Sequence, residues 1–450
     1  MWEKLKSATL VVLILASFYM TGQLWLVNYS PPVPATQRGD FPEPMPLELM
    51  APITINLHFT EGSRSYAPGQ LGFRETWEFF RGLISGGHMV SVRSITEQEW
   101  QRAYAGNSIE VKLSGRVQMR MWLEALSVQP SGLGTEHVMD RVLMSTHSNH
   151  VYFWDTESGV YLAWDNAARP EQPSRVREQT ALHLAHAQQN WPGEPIRRLT
   201  TKWRARAAPW VYVPAEPGLW PQLLARHERA QNSQLIAGFF PDWSLVRRVG
   251  ERDGRTSFTD GLRHAYLHPS SAVQYVSTTW FRPTYDINAR ASLILAMALN
   301  FVARHGGWPE NVRLSYMEVI SPPSGLPQII FRFVPYTQVA LNGRAAFVPL
   351  VSPRRQIALT VNERHVSDYE RLVYHPIDTG ASPTRIITPE AAIQAVERNL
   401  LQDRLITDIY VGFYQRHIDE LAEFLYPVWV IEQGQELFLV NAFTGDVVPR

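Results

Sequence analysis

Alternation of apolar and polar positions recurs along this chain and predicts more strands than helices. Ile53-Thr-Ile-Asn-Leu-His-Phe59 alternates and predicts a strand. Val151-Tyr-Phe-Trp154 and Val160-Tyr-Leu-Ala-Trp164 flank Asp-Thr-Glu-Ser-Gly, the pattern of a hairpin that turns at Gly159. A short strand is expected at Trp210–Val213, and Phe258–Leu267 and Ala272–Val276 are expected to pair. Further strands are expected at Val312–Val319, Gln328–Val334, Ala345–Leu350 and Arg355–Val361. Two last ones, Pro427–Ile431 and Leu437–Asn441, precede a turn at Thr444-Gly445-Asp446.

Helical periodicity interrupts this pattern in a few places. Glu75–Leu83, Ser174–Gln189 and Leu219–Ala230 predict helices, the second capped by Ser174. An apolar helix is expected from Asp286 or Asn288 to about His305, ended by Gly306-Gly307. Arg290, Asn288 and Asn300 interrupt it, so it predicts a core helix and not a membrane span. Thr388-Pro389-Glu390 starts another, with a hydroxyl N-cap, Pro at the first position and an acid in the first turn. Ile393, Val396, Leu400 and Leu401 would give it one apolar face. The fold class expected is α+β.

The longest apolar run is at the start. No charge occurs between Lys6 and Arg38. As a helix, residues 7–27 would span about 31 Å, the thickness of a bilayer core. Trp2 and Trp25 sit where interfacial aromatics belong, and Lys4 and Lys6 precede the run. The positive-inside rule then leaves residues 1–6 as a cytoplasmic tail and sends the rest outside. A cleaved signal peptide is the competing reading; the length of the run and the lack of an A-x-A site favour a retained anchor. Ser17, Thr21 and Gln23 offer small and polar side chains for pairing with another membrane helix. Seven prolines between 28 and 52 predict a stiff stalk. Three ectodomain stretches follow, 53–173, 174–285 and 286–450, with a linker at about 166–173.

Composition narrows the chemistry. The formal net charge is zero, which disfavours a nucleic-acid partner. There are no cysteines, which removes thiol nucleophiles and cysteine-based zinc sites and suits a bacterium that does without exported disulfides. No lysine has Ser three residues before it, G-x-S-x-G does not occur, and His227-Glu228 is not followed by a second His at the metalloprotease spacing. His183/His186 and His147/His150 have metal-ligand spacing but no legible third ligand, and read as helix-edge and turn residues. Neither a catalytic, a cofactor nor a metal site is expected, and no small-molecule substrate.

The order of local motifs resembles the YycH family, membrane-anchored regulators of the YycFG (WalKR) two-component system of Gram-positive bacteria. The resemblance spans nearly the whole chain. It lies in the short basic start and the anchor ending in Leu24-Trp25, in Leu235-Ile-Ala-Gly-Phe-Phe-Pro-Asp242, and in Ser257-Phe-Thr-Asp-Gly-Leu-Arg263 with the strand after it. It ends in Val428-Trp-Val430 and Phe438–Val448. The last stretch, with Thr388–Ile393, is also similar to a PepSY unit, a helix packed on antiparallel strands. The Pro-rich stalk and the Arg- and Trp-rich composition depart from the family. The resemblance implies a non-enzymatic protein of the cell membrane. It would act on a YycG/WalK-like sensor histidine kinase with a YycI-like single-pass partner, through its membrane helix and its extracytoplasmic domains, and tune cell-wall gene expression. An anchored PepSY-like module that restrains an extracellular peptidase or cell-wall hydrolase is the alternative.

Overall fold

The computed structural model describes residues 44–449 other than 86–87, 90–91, 131–135, 166–174, 201–206, 209, 228–231, 279–289, 322–326, 342–343, 353–355, 363–364, 373, 402–403, 418–422 and 435; before residue 44 it describes Lys6, Leu13, Ile14, Ala16 and Ser17. The rest of the expected anchor, the stalk before residue 44, the linker, and the caps at Ser174 and Asp286 or Asn288 lie outside the described residues. Among those described, no helix is long and apolar enough to cross a membrane.

The architecture is mixed α+β, mostly sheet with few helices. One antiparallel sheet runs, in spatial order, Tyr212–Pro214, Glu194–Arg198, Gly62–Tyr66, Thr54–Phe59, Ser108–Gln118, Val138–Ser145, His150–Asp155, Val160–Asp165 and Val92–Ser94. Its central strands have two unlike faces, because side chains alternate across a strand. Ile55, Leu57, Ile109, Val111, Val142 and Met144 share one face. They enter a core that also holds Phe80, Trp122 and Leu184 from the helices Leu71–Ile84, Met119–Ala125 and Arg175–Asn190. Asn56, His58, Glu110, Lys112 and Arg141 share the other face.

The second sheet begins with a meander of Arg247–Gly250, Thr256–Thr259, Arg263–Leu267 and Val273–Ser277. It continues through Val366–Arg371 and Ile357–Val361 to Gln328–Leu341. That last strand pairs with Val312–Ile320 and is long enough to serve two further neighbours. Ile329–Phe333 pair with Ile357–Val361, and Tyr336–Leu341 pair with Arg344–Pro349. Arg344–Val351 then runs parallel to Asp408–His417. The sheet closes with Glu423–Gln433 between Asp408–His417, Glu436–Asn441 and Leu223–His227.

The two sheets touch directly. Strand Val312–Ile320 crosses Ser108–Gln118 at Gly115, where an added Cβ would fall 1.7 Å from the Ser315 carbonyl oxygen. Only glycine lets two backbones approach so closely. Both main apolar cores draw on the early and the late parts of the chain: Ile55 and Tyr369 fall in one, Trp154 and Trp429 in the other.

Several expected elements are present with modest changes of boundary. The hairpin turns at Gly159, whose φ of 68° suits glycine. Thr388 caps Pro389–Val396 by accepting from the Ala391 N–H at 3.2 Å. That helix stops at Val396, so Ile393, Val396 and Leu400 are buried while Leu401 is 38 % exposed. The helix expected at Leu219–Ala230 is overturned. Leu219–Trp220 and Leu223–His227 are strands, held by Thr384–Arg385 and by Tyr374–Asp378 and Glu423–Leu425. Tertiary pairing here overrides a local helical pattern.

Candidate functional site

The polar face of the first sheet is covered, not solvated. Glu110 is fully buried between Ile109 and Val111. Arg141 Nη1 donates to Glu110 Oε1 at 2.5 Å, and Asn56 Nδ2 and Tyr104 Oη donate to Oε2 at 2.8 and 3.1 Å. His58 Nε2 lies 3.4 Å from the same oxygen. Tyr104 is delivered by the helix Glu97–Tyr104, which Thr96 caps through the Glu99 N–H. Burial alone would push Glu110 up; the charge of Arg141 and the hydrogen bonds of His58 and Asn56 outweigh it and hold the carboxyl far below its ordinary 4.5.

The second sheet supplies the rest. Asp408 and Glu432 sit directly opposite each other on antiparallel strands, a like-charge pairing that disfavours both carboxylates. Cations from the first sheet compensate: Lys112 ion-pairs with Asp408, and Arg141 Nη2 lies 3.6 Å from Asp408 Oδ1. Tyr410 Oη donates to Glu432 Oε1 at 3.0 Å, under the Lys112 ammonium. Burial, then the Asp408 charge, pushes Glu432 up to about 7. Asp140 is pushed up to about 6, again by burial, although it accepts from the Thr156 N–H and hydroxyl at 2.8 and 2.7 Å. Tyr336, which donates to Ser114 at 3.2 Å, is pushed up to about 12 by burial.

The result is a seam of buried charge between the two sheets. Glu432 can take or release a proton near neutrality, and each exchange alters the charge held between the sheets. Nothing in the sequence motifs pointed to these residues. Glu110, between Ile109 and Val111, holds the position that alternation gives to a solvated face, so the pattern carries no sign that this face is covered.

A second buried cluster closes the helix Ala291–Arg304. Arg371 donates to the Gly306 and Gly307 carbonyls at 2.8 and 2.7 Å, and Tyr369 Oη donates to the His305 carbonyl at 3.1 Å. The His305 ring packs against both Phe239 and Phe301, at 4.8 and 4.1 Å between centroids. Phe239, Phe240 and Phe258, from two stretches singled out in the sequence, enter one core here.

Among the sequence-derived site residues, Ser17 is helical and exposed, while Thr21 and Gln23 lie outside the described residues. His183 stacks on Phe79 at 4.1 Å with Nε2 3.1 Å from the Thr76 hydroxyl. Burial, then His186, pushes its pKa down to about 4. His186 instead has Nδ1 3.0 Å from Asn190 Nδ2, so the two rings have separate hydrogen-bond partners, although both sit edge-on to Trp191.

The fold and this seam define a class of mixed α+β chain, mostly sheet, in which an antiparallel sheet and a mixed sheet are fused through shared cores. No family model matches the sequence, and no curated relative matches it. Among solved structures, the chain is similar to YycH from Bacillus subtilis, with a TM-score of 0.57 and 13% identity over 89% of this chain and 98% of that one. The likeness to YycH read from the sequence is thus shown at the level of the fold. Looser overlaps exist with an uncharacterized protein from Eubacterium rectale (TM-score 0.35, 10% identity, 56% of this chain and 89% of that one) and with the YpeB C-terminal domain from Bacillus megaterium (TM-score 0.25, 13% identity, 48% and 92%). Neither of these two carries an argument.

Proposed function

We propose that this chain is a non-enzymatic regulator of a YycG/WalK-type sensor histidine kinase, anchored in the cell membrane with its N-terminus inside and its ectodomain outside. It would act beside a YycI-like single-pass partner and tune cell-wall gene expression. The observation that supports this reading is the YycH fold, which extends over 89% of the chain. The physical route is a change in the kinase's two-state equilibrium, which follows if the regulator binds one state better than the other. The membrane helix, with Ser17, Thr21 and Gln23 on its contact face, would make that contact, and the ectodomain would set it.

The test is crosslinking and pull-down from native membranes, comparing the full chain with one whose residues 7–27 are replaced by an unrelated anchor. Recovery of a sensor kinase and a second single-pass protein by the native chain only supports the proposal. Equal recovery by both removes the membrane helix from it, and recovery of neither partner removes the kinase.

One observation favours a second reading. The helix Pro389–Val396 packs on Glu423–Gln433 and Glu436–Asn441, with Ile393, Val396 and Trp429 in one core. That is the arrangement of a PepSY-like unit, which would restrain an extracellular peptidase or cell-wall hydrolase. Deleting residues 388–450 should then release hydrolase activity.

A further inference from the structure

The second sheet ends in an edge that the described residues leave open. The strand Arg247–Gly250 is paired on one side only, with Thr256–Thr259. All four of its residues are exposed. The hairpin closes with the Glu251 N–H donating to the Arg255 carbonyl at 2.8 Å. Antiparallel pairing alternates, so Val249 and Arg247 direct their backbone groups inward to Ser257 and Thr259. The N–H and C=O of Arg248 and Gly250 therefore face away from the sheet, ready to accept another strand.

The side chains around this edge select what can pair with it. Leu245 and Val249 are 66 % and 53 % exposed, an apolar contact for alternate residues of an incoming strand. Of the nearby acids, Glu251 and Asp253 share Arg255 at 2.9 and 2.5 Å, and Asp260 pairs with Arg263 at 3.0 Å; Asp242 accepts only from Ser244 and keeps its charge. Arg248 lies over Phe258, and Arg252 is exposed with no ion pair among the described residues. The strand itself carries arginine and no acid, so the charge that runs alongside an incoming strand is positive. A second copy of this edge would set arginine against arginine, which is unfavourable.

We propose that Arg247–Gly250 is a docking edge for an extended acidic segment of another protein, which adds to the sheet as one more strand. Backbone hydrogen bonds to Arg248 and Gly250 give the attachment, the arginines select acidic side chains, and Leu245 and Val249 take apolar ones. The inference stands apart from the kinase reading, since it names no partner and uses no membrane contact.

The test uses the full chain in detergent and a fluorescein-labelled peptide of alternating Glu and Val, followed by anisotropy. Saturable binding is expected. It should weaken about tenfold in the double variant Arg248→Glu, Arg252→Glu, since two exposed charge contacts are reversed. It should weaken similarly when alternate peptide nitrogens are methylated, a change that leaves the protein untouched and removes only strand pairing. A Lys/Val peptide should bind poorly. No saturable binding, equal binding of the Lys/Val peptide, or indifference to N-methylation or to the charge reversal would each overturn the proposal.

Discussion

Two buried arginines hold this molecule together in different ways. Arg141 is 3 % exposed and Arg371 6 %, so burial does not separate them. Their partners do. Arg141 pairs with the Glu110 carboxylate on the neighbouring strand and reaches Asp408 across the seam between sheets, whereas Arg371 donates to the Gly306 and Gly307 carbonyls at the end of a helix. Those carbonyls do not titrate at any working pH, and carboxylates do. One arginine therefore serves as a fixed staple, and the other belongs to a network whose charge depends on its surroundings.

The comparison can be broken directly. Arg141→Met leaves Glu110 buried without its main cation. It should cost about 3–5 kcal/mol, because breaking a buried pair strands the remaining charge. Arg371→Met removes hydrogen bonds to neutral acceptors and should cost about 1–3 kcal/mol. Urea unfolding of the two variants measures both, and equal losses would show that partner chemistry is not what separates them. Gly115→Ala attacks the seam by geometry instead of charge. The new methyl meets backbone and not a movable side chain, so a loss of about 3 kcal/mol is expected by the same measurement.

The pH dependence sharpens the contrast further. Glu432 has a folded pKa raised to about 7 from its ordinary 4.5. The folded chain then holds a proton that the unfolded chain releases, so stability falls as pH rises from about 5 to 7. Glu110 is shifted the other way; its contribution is present above its ordinary pKa and is lost as pH falls below it. Stability should thus be greatest in the mildly acidic range. Glu432→Gln should flatten the limb between pH 5 and 8, a change on the order of 2 kcal/mol, and leave the acid limb in place. Melting temperatures across that range in native and variant chains check it; an unchanged slope would place the titration elsewhere.

Much of the fold was legible because it is written locally. The Gly159 hairpin, the Thr388 cap and the strands expected between Val312 and Val361 follow from neighbours in sequence, whereas Val366–Arg371, Tyr374–Asp378 and Asp408–His417 were not expected. Alternation did not sort Trp154, Trp164 and Trp210 into core and surface; the fold buries all three. The seam was not legible. Glu110 meets Arg141 through strand register, and Asp408 opposes Glu432 only once both strands have paired. Register is a long-range property that alternation does not specify. The strand at Leu223–His227 failed for the same reason, since its partners are Tyr374–Asp378 and Glu423–Leu425.

The sharing of both apolar cores between early and late parts of the chain has a consequence for how the protein is made. Ile55, Trp100 and Trp154 wait for Tyr369, Phe413 and Trp429 before their cores are complete. Contacts so distant in sequence close slowly, since loop-closure entropy must be met before they form. A chain emerging N-terminus first would carry open strands and exposed aromatic surface until its final strands arrive, which places it among proteins that need protection from aggregation while they are being synthesised.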